Sequence, residues 1–153
     1  MINDIPTRIY SVEAGVVTVM VPYKIQGYIA KIQIINGGTE SDTVTAFVGQ
    51  TAPGVFTLPP GGIAYAAAQH TTDLSTITPS HPAQPCETIA LYLTGLGAVS
   101  PAVNSGTAGP NPPATVTNQI AAYIGRQQAT LSFAGLTPGW SDCIRSTSRF
   151  PRA

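Results

Sequence analysis

The sequence predicts an all-β fold, and three observations predict it. Runs of β-branched and aromatic residues have strand length, as in "VVTVMV" at 16–21. Turn-formers are dense, with 15 Gly and 14 Pro in 153 residues. Helical periodicity is nearly absent. Short strands between frequent turns, with no helices to cover a sheet, indicate a β-sandwich of Ig-like type.

The elements follow in order. The run 16–21 reads as a strand. "YIAKIQIING" (28–37) alternates, so Ala30, Ile32 and Ile34 share one face while Lys31 and Gln33 meet water. Asn36-Gly37 is a turn signal. "DTVTAFVG" (42–49) follows at hairpin distance, with Val44, Ala46 and Val48 on one face. Later strands read as "ETIALYLTG" (87–95), "TVTNQIAAYIG" (115–125) and "QATLSFAG" (128–135), the last two joined by a tight hairpin at Gly125-Arg126-Gln127. Residues 51–85 carry too many Pro, Gly and small residues for a central strand or a helix. They read as a partly ordered connector with short strands such as "GVFTL", and "IAYAAAQ" takes an extended or looped path.

Charged residues are only 9% of the chain, against roughly 25% in an ordinary soluble protein. Net charge is zero. No basic field exists to draw the chain onto nucleic acid or anionic lipid. No apolar run is long enough to span a bilayer. "MINDIPTRIY" has neither a basic region nor an apolar stretch of the secretory kind. Two cysteines cannot make a disulfide framework, and a Cys86–Cys143 bond is the one pairing open to them.

The phrases "PAQPCETIALYLTGLGAVSPAVNSGTAGP" and "IGRQQATLSFAGLTPG", with "TAPGVFTL" and "VVTVMVPY" upstream, give a more specific signal. Over about residues 2–139 the chain resembles the Solibacter-type uncharacterised C-terminal domain family of large secreted acidobacterial proteins. The resemblance implies an Ig-like sandwich, an extracellular or cell-surface location and no catalytic residues. It also implies no cofactor. The implied partners are neighbouring domains of a parent protein or extracellular components. Where the family has Gly in "PGET", this chain has Cys86, so a turn that wants Gly is strained there.

Set against the family, the chain appears in four parts. Residues 1–50 match the later half of one Ig-like unit, 51–84 form a Pro/Gly-rich connector, 85–139 match the earlier half of a second unit, and 140–153 form an aberrant tail. The sandwich is then incomplete, or built from two complementary half-units in swapped order. In the second case strands at 16–21, 29–35 and 43–48 supply sheet partners to 88–94 and 119–134, within one chain or in a strand-swapped homodimer.

The tail "WSDCIRSTSRFPRA" holds the single Trp and three of the seven Lys/Arg residues. The family continues instead with a segment like "LVGLYQINFTIPAG". With suitable synonymous codons, reading the tail from the third base of the Trp140 codon yields "VGLYQINFTIPAG". One base lost after the Gly139 codon converts the one segment into the other, so the tail is expected to be a frameshift product.

Candidate chemistry is thin. His70, His81 and Cys86 fit no zinc spacing, and Asp73 and Glu87 lack the ordered pattern of a calcium loop, so exposed loop residues without a metal are expected. There is no "GxSxG" elbow. "GLG" at 95–97 is no dinucleotide fingerprint, because no helix follows it, and reads as a tight strand exit. Tyr23 and Tyr28 flank the "KIQG" turn and are the expected ligand contacts if any exist. Tyr92 and Tyr123 should pack into or edge the sandwich. The expected function is a non-catalytic structural or adhesive module, with carbohydrate binding as the alternative.

Overall fold

The fold comes from a computed structural model, which describes residues 1–59, 64–141 and 143–149. It is all-β, sandwich-like and built from several antiparallel sheets. The first part of the chain forms three two-stranded hairpin sheets. β1 (Ile9–Glu13) pairs with β2 (Val16–Val19). β3 (Ile29–Ile32) pairs with β6 (Val44–Phe47), and between them β4 (Ile35–Asn36) pairs with β5 (Thr39–Glu40). The predicted strand 28–37 is therefore broken at Gln33-Ile34. The turn falls one residue beyond Asn36-Gly37, on Gly37 and Gly38 with φ of 57° and 82°, the backbone of the tight hairpin turn whose two central residues both have positive φ.

An eight-stranded sheet occupies the rest. Its strands are β7 (Gly54–Val55), β8 (Ala68–His70), β9 (Thr88–Thr94), β10 (Val99–Ser100), β11 (Thr115–Val116), β12 (Ala122–Ile124), β13 (Gln127–Leu136) and β14 (Ile144–Arg149). β14 lies between β13 and β9, β7 and β8 share the far edge of β9, and β10, β11 and β12 extend the β13 side. Gly125 and Arg126, at φ of 56° and 71°, make the predicted tight turn between β12 and β13. The apolar core joins Leu93, Leu96, Val99, Ala114, Leu136 and Ile144.

Three expectations need correction or relocation. β9 pairs with β14, β7 and β8, so among the described residues no ladder forms between 88–94 and any strand of 2–50. On one edge the nearer β7 and β8 close shorter loops than a strand from the first fifty residues would, and on the other β14 pairs with β9 along its length. The connector supplies two of these partners, β7 and β8, in line with the short strand expected at "GVFTL". The run 115–125 divides into β11 and β12 rather than forming one strand. Ile63, the first residue of "IAYAAAQ", and the preceding Gly61-Gly62 lie outside the described residues.

The tail residues Ile144–Arg149 form the central strand of the sheet. Its register sets three cross-strand rows on the inward face: Leu136–Ile144–Leu93, Ala134–Ser146–Leu91 and Leu131–Ser148–Ile89. Only the first row is apolar throughout. Ser146 and Ser148 are 5% and 4% exposed, and the Ser148 hydroxyl has no hydrogen-bond partner. On the opposite face Arg145 lies over the Phe133 ring at 5.6 Å, with its Nε buried and unpaired. An unsatisfied buried polar group costs about 1–3 kcal/mol by mutational measures, so this strand is held by its ladder rather than by its side chains.

Candidate functional site

The densest group of titratable side chains lies where β8 leads through a loop into β9. His70, at the end of β8, is buried and takes a partner on each ring nitrogen. Its Nδ1 meets Glu87 Oε1, and its Nε2 faces the His81 carbonyl at 3.4 Å. The His70 and His81 rings stack with centroids 4.2 Å apart. Two acceptors suit two N–H donors, the imidazolium form. The Glu87 hydrogen bond accordingly raises the His70 pKa above its ordinary value, against the opposing effect of burial. Glu87 also accepts the Gln84 backbone N–H at 2.7 Å, and this bond first, then His70, holds its carboxyl below the usual range.

The expectation of exposed loop residues thus holds for His81 but fails for His70, which is 5% exposed and paired in a strand. The alternation of β8 turns it inward, where Glu87 compensates the buried charge. Cys86 stands beside Glu87 with φ of 65°, so the left-handed turn for which Gly is favoured is present and is occupied by a residue with a Cβ.

The same loop contains Ser, His and Asp, but their bonds run the wrong way for nucleophilic catalysis. Ser75 donates both its N–H and its hydroxyl to Asp73 Oδ1, at 2.9 and 2.8 Å. These two bonds lower the Asp73 pKa. The hydroxyl proton is therefore committed to a carboxylate, while His81 Nδ1 stands 3.4 Å away. A triad would need that proton to go to the imidazole, and a carboxylate behind the imidazole to orient it. Among the described residues no three His, Cys, Asp or Glu side chains are grouped so as to hold a metal ion. Cys86 and Cys143 are free thiols, and burial raises the Cys143 pKa. The arrangement fastens the 71–87 loop to the sheet through a charged hydrogen bond and a ring stack.

The two sequence-predicted ligand contacts differ in exposure. Tyr28 is 76% exposed, while Tyr23 is half-buried and its N–H donates to Ser105 Oγ at 2.9 Å. The other exposed aromatics among the described residues are Tyr10 on β1, Phe47 on β6, Phe56 and Tyr65 in the connector, Tyr123 on β12 and Trp140 before β14. Tyr92 is half-buried, with its hydroxyl donated to Gln69 Oε1 at 2.6 Å. Tyr28 and Phe47 lie near each other in the hairpin, yet strand alternation sends them to opposite faces. A depression of about 510 Å³ between Ile120–Ala122 and Gln128–Leu131 contains no titratable side chain. Among the described residues no helix is long and apolar enough to cross a membrane. Comparison with family models, with curated proteins and with solved structures gives no match.

His70–Glu87 was missed in the sequence because the two residues are seventeen apart and only the β8–β9 register makes them neighbours. A usable signal did exist: "AQH" alternates out of an apolar stretch, and "CETI" opens the strand that pairs with it.

Proposed function

We propose that the chain is a non-catalytic structural or adhesive module of an extracellular or cell-surface protein, related to the Solibacter-type C-terminal domains. One observation carries this reading. The richest group of acid, base and hydroxyl side chains is used up in bonds that fix a loop to the sheet. There the Ser75 hydroxyl and the Asp73 and Glu87 carboxylates are each engaged in hydrogen bonds within the protein. A sheet whose polar chemistry points inward suits a rigid element that spaces or presents neighbouring domains.

Carbohydrate binding is the weaker reading, because the exposed aromatics are spread over β1, β6, β12 and the connector, and Tyr28 and Phe47 of the one hairpin face opposite ways. Fractionation of the native cells, with an antibody to this chain, tests the first reading: the protein should appear in the surface or secreted fraction. Retention in the cytoplasm would refute it. Co-sedimentation with insoluble polysaccharides, lost on Tyr28→Ala, would instead support the second.

A further inference from the structure

The β3–β6 hairpin is closed on one side and open on the other. The outer edge of β3 is taken by the first residues of the chain. Asn3 N–H donates to the Lys31 carbonyl at 2.9 Å, Lys31 N–H donates to Asn3 Oδ1 at 2.7 Å, and Gln33 N–H donates to the Met1 carbonyl at 3.1 Å. β6 has no such cover among the described residues. Val48 N–H donates to the Tyr28 carbonyl at 2.9 Å, so by alternation the N–H groups of Val44 and Ala46 point to β3 and those of Thr45 and Phe47 point outward. This bare edge contains no charge, no proline and no bulge, the devices that normally block pairing. Its side chains are also apolar and exposed: Val44 at 63%, Phe47 at 93% and the neighbouring Ile29 at 54%.

The surface area points the same way. A compact monomer of 15.8 kDa should expose about 7,300 Å² by the size scaling of folded proteins. This chain exposes 10288 Å². The excess, roughly 3,000 Å², is several times the roughly 800 Å² that each partner buries in a standard stable interface. Net charge is zero, so no single-sign field opposes self-association.

We infer that β6 pairs edge to edge with β6 of a second copy of this chain, joining two hairpins into one four-stranded antiparallel sheet. A twofold axis normal to the sheet keeps matching faces together, and centring it on Ala46 sets Phe47 of each copy beside Thr45 of the other. Ile29 and Phe47 share a face in each hairpin, so on that face the pairing continues each Ile29–Phe47 row into the Thr45–Lys31 row of the other copy and sets the two Phe47 side chains diagonally across the seam. Both outer edges of the new sheet are the ones already covered by Met1–Asn3. The inference goes beyond the structural-module reading and does not need the extracellular location.

Sedimentation equilibrium of the full chain across 1–100 µM tests it. The wild type should show a reversible dimer of twice 15.8 kDa. Phe47→Lys, at a side chain almost wholly in water, should weaken the dimer about 30-fold, the effect of losing a central aromatic anchor. Thr45→Pro removes an outward N–H without touching the β3 ladder and should do the same. Tyr123→Lys, at an exposed aromatic on another hairpin, should leave the dimer unchanged. Far-UV circular dichroism should be the same for all four proteins; if Thr45→Pro alone misfolds, Phe47→Lys decides. A wild type that stays monomeric at 100 µM overturns the inference. So does a dimer that survives Phe47→Lys, which would indicate exchanged strands, or one that Tyr123→Lys weakens equally.

Discussion

The shifted-frame reading of residues 140–153 makes a specific demand on the central strand. With one base restored after the Gly139 codon, the segment "LVGLYQINFTIPAG" starts at position 140. Isoleucine then falls at 146 and phenylalanine at 148, while glutamine and asparagine fall at 145 and 147. The register observed for β14 turns 146 and 148 inward, beside Leu91, Ala134, Ile89 and Leu131. The combined change Ser146→Ile and Ser148→Phe should therefore stabilise the fold. Burying each large apolar side chain is worth about 1.5–3 kcal/mol, or about 3–6 kcal/mol for the pair. Removing the unpaired Ser148 hydroxyl adds about 1–3 kcal/mol. Overpacking subtracts about 1–3 kcal/mol at each site. Mid-range values of these terms leave a net gain of about 2–3 kcal/mol, which raises Tm by roughly 4–12 °C in a domain of this size. Urea and thermal unfolding measure it. Ser148→Ala separates the terms, since it removes the hydroxyl without adding volume and should gain about 1 kcal/mol. A double variant less stable than wild type, together with a neutral Ser148→Ala, would refute the inward apolar slots. Sequencing the gene tests the frame directly, because one added base must open the "LYQIN" reading.

Three further outcomes are expected. Cys86→Gly should stabilise by about 0.5–1 kcal/mol in urea unfolding, because relief of the left-handed backbone, about 1–2 kcal/mol, exceeds the entropy that Gly adds to the unfolded chain. Gly95→Ala should destabilise by about 2 kcal/mol or more: φ is +78° and an added Cβ would stand 2.0 Å from the Ala52 carbonyl oxygen, where the approach to β7 is tied by the Ala52 N–H bond to Gly95. The pH profile of Tm should peak between about 4.5 and 6.5, the ordinary values for Glu and His. His70, with its pKa raised on folding, stabilises fully below its unfolded value and loses this as pH rises through the folded value. Glu87, with its pKa lowered, stabilises fully above its unfolded value and loses this as pH falls through the folded value. His70→Gln should flatten the alkaline limb, and an unchanged limb would count against the His70–Glu87 contact.

What could be read from the sequence was what local chemistry dictates. Alternating β-branched residues placed β3, β6, β9 and β13, and the Gly125-Arg126 hairpin followed from its turn. The "GLG" strand exit is borne out by left-handed φ at both Gly95 and Gly97. The strained turn that the sequence predicts at Cys86 matches its left-handed φ of 65°. Pairing was not legible, because ladder hydrogen bonds are made by backbone and are indifferent to side chains. "IRSTSR" carries no alternating hydrophobicity, so nothing in its letters marks it as the centre of a sheet. The burial of His70 was hidden for a related reason: it depends on the β8–β9 register, which only the folded sheet sets.

The two departures from ordinary burial are opposite in sign. In the first fifty residues Val44, Phe47, Ile9 and Val12 meet water, and in the sheet centre Ser146 and Ser148 are sealed from it. Agreement between pattern, burial and polar satisfaction is what gives a chain one well-defined fold, and here it fails at two separate places. The remedies differ because the defects differ. Exposed apolar strands with a bare edge are corrected by adding a surface, which a second copy can provide without any change of sequence. Buried serines on a paired central strand cannot be corrected by a partner, since both edges of that strand are taken and the face that holds the serines is already buried. They yield only to a change of the residues themselves. A variant combining Ser146→Ile and Ser148→Phe should therefore raise stability and leave the dimer constant unchanged, whereas Phe47→Lys should weaken the dimer and leave the stability of the monomer unchanged. If either substitution moved both quantities, the two defects would be coupled through the fold.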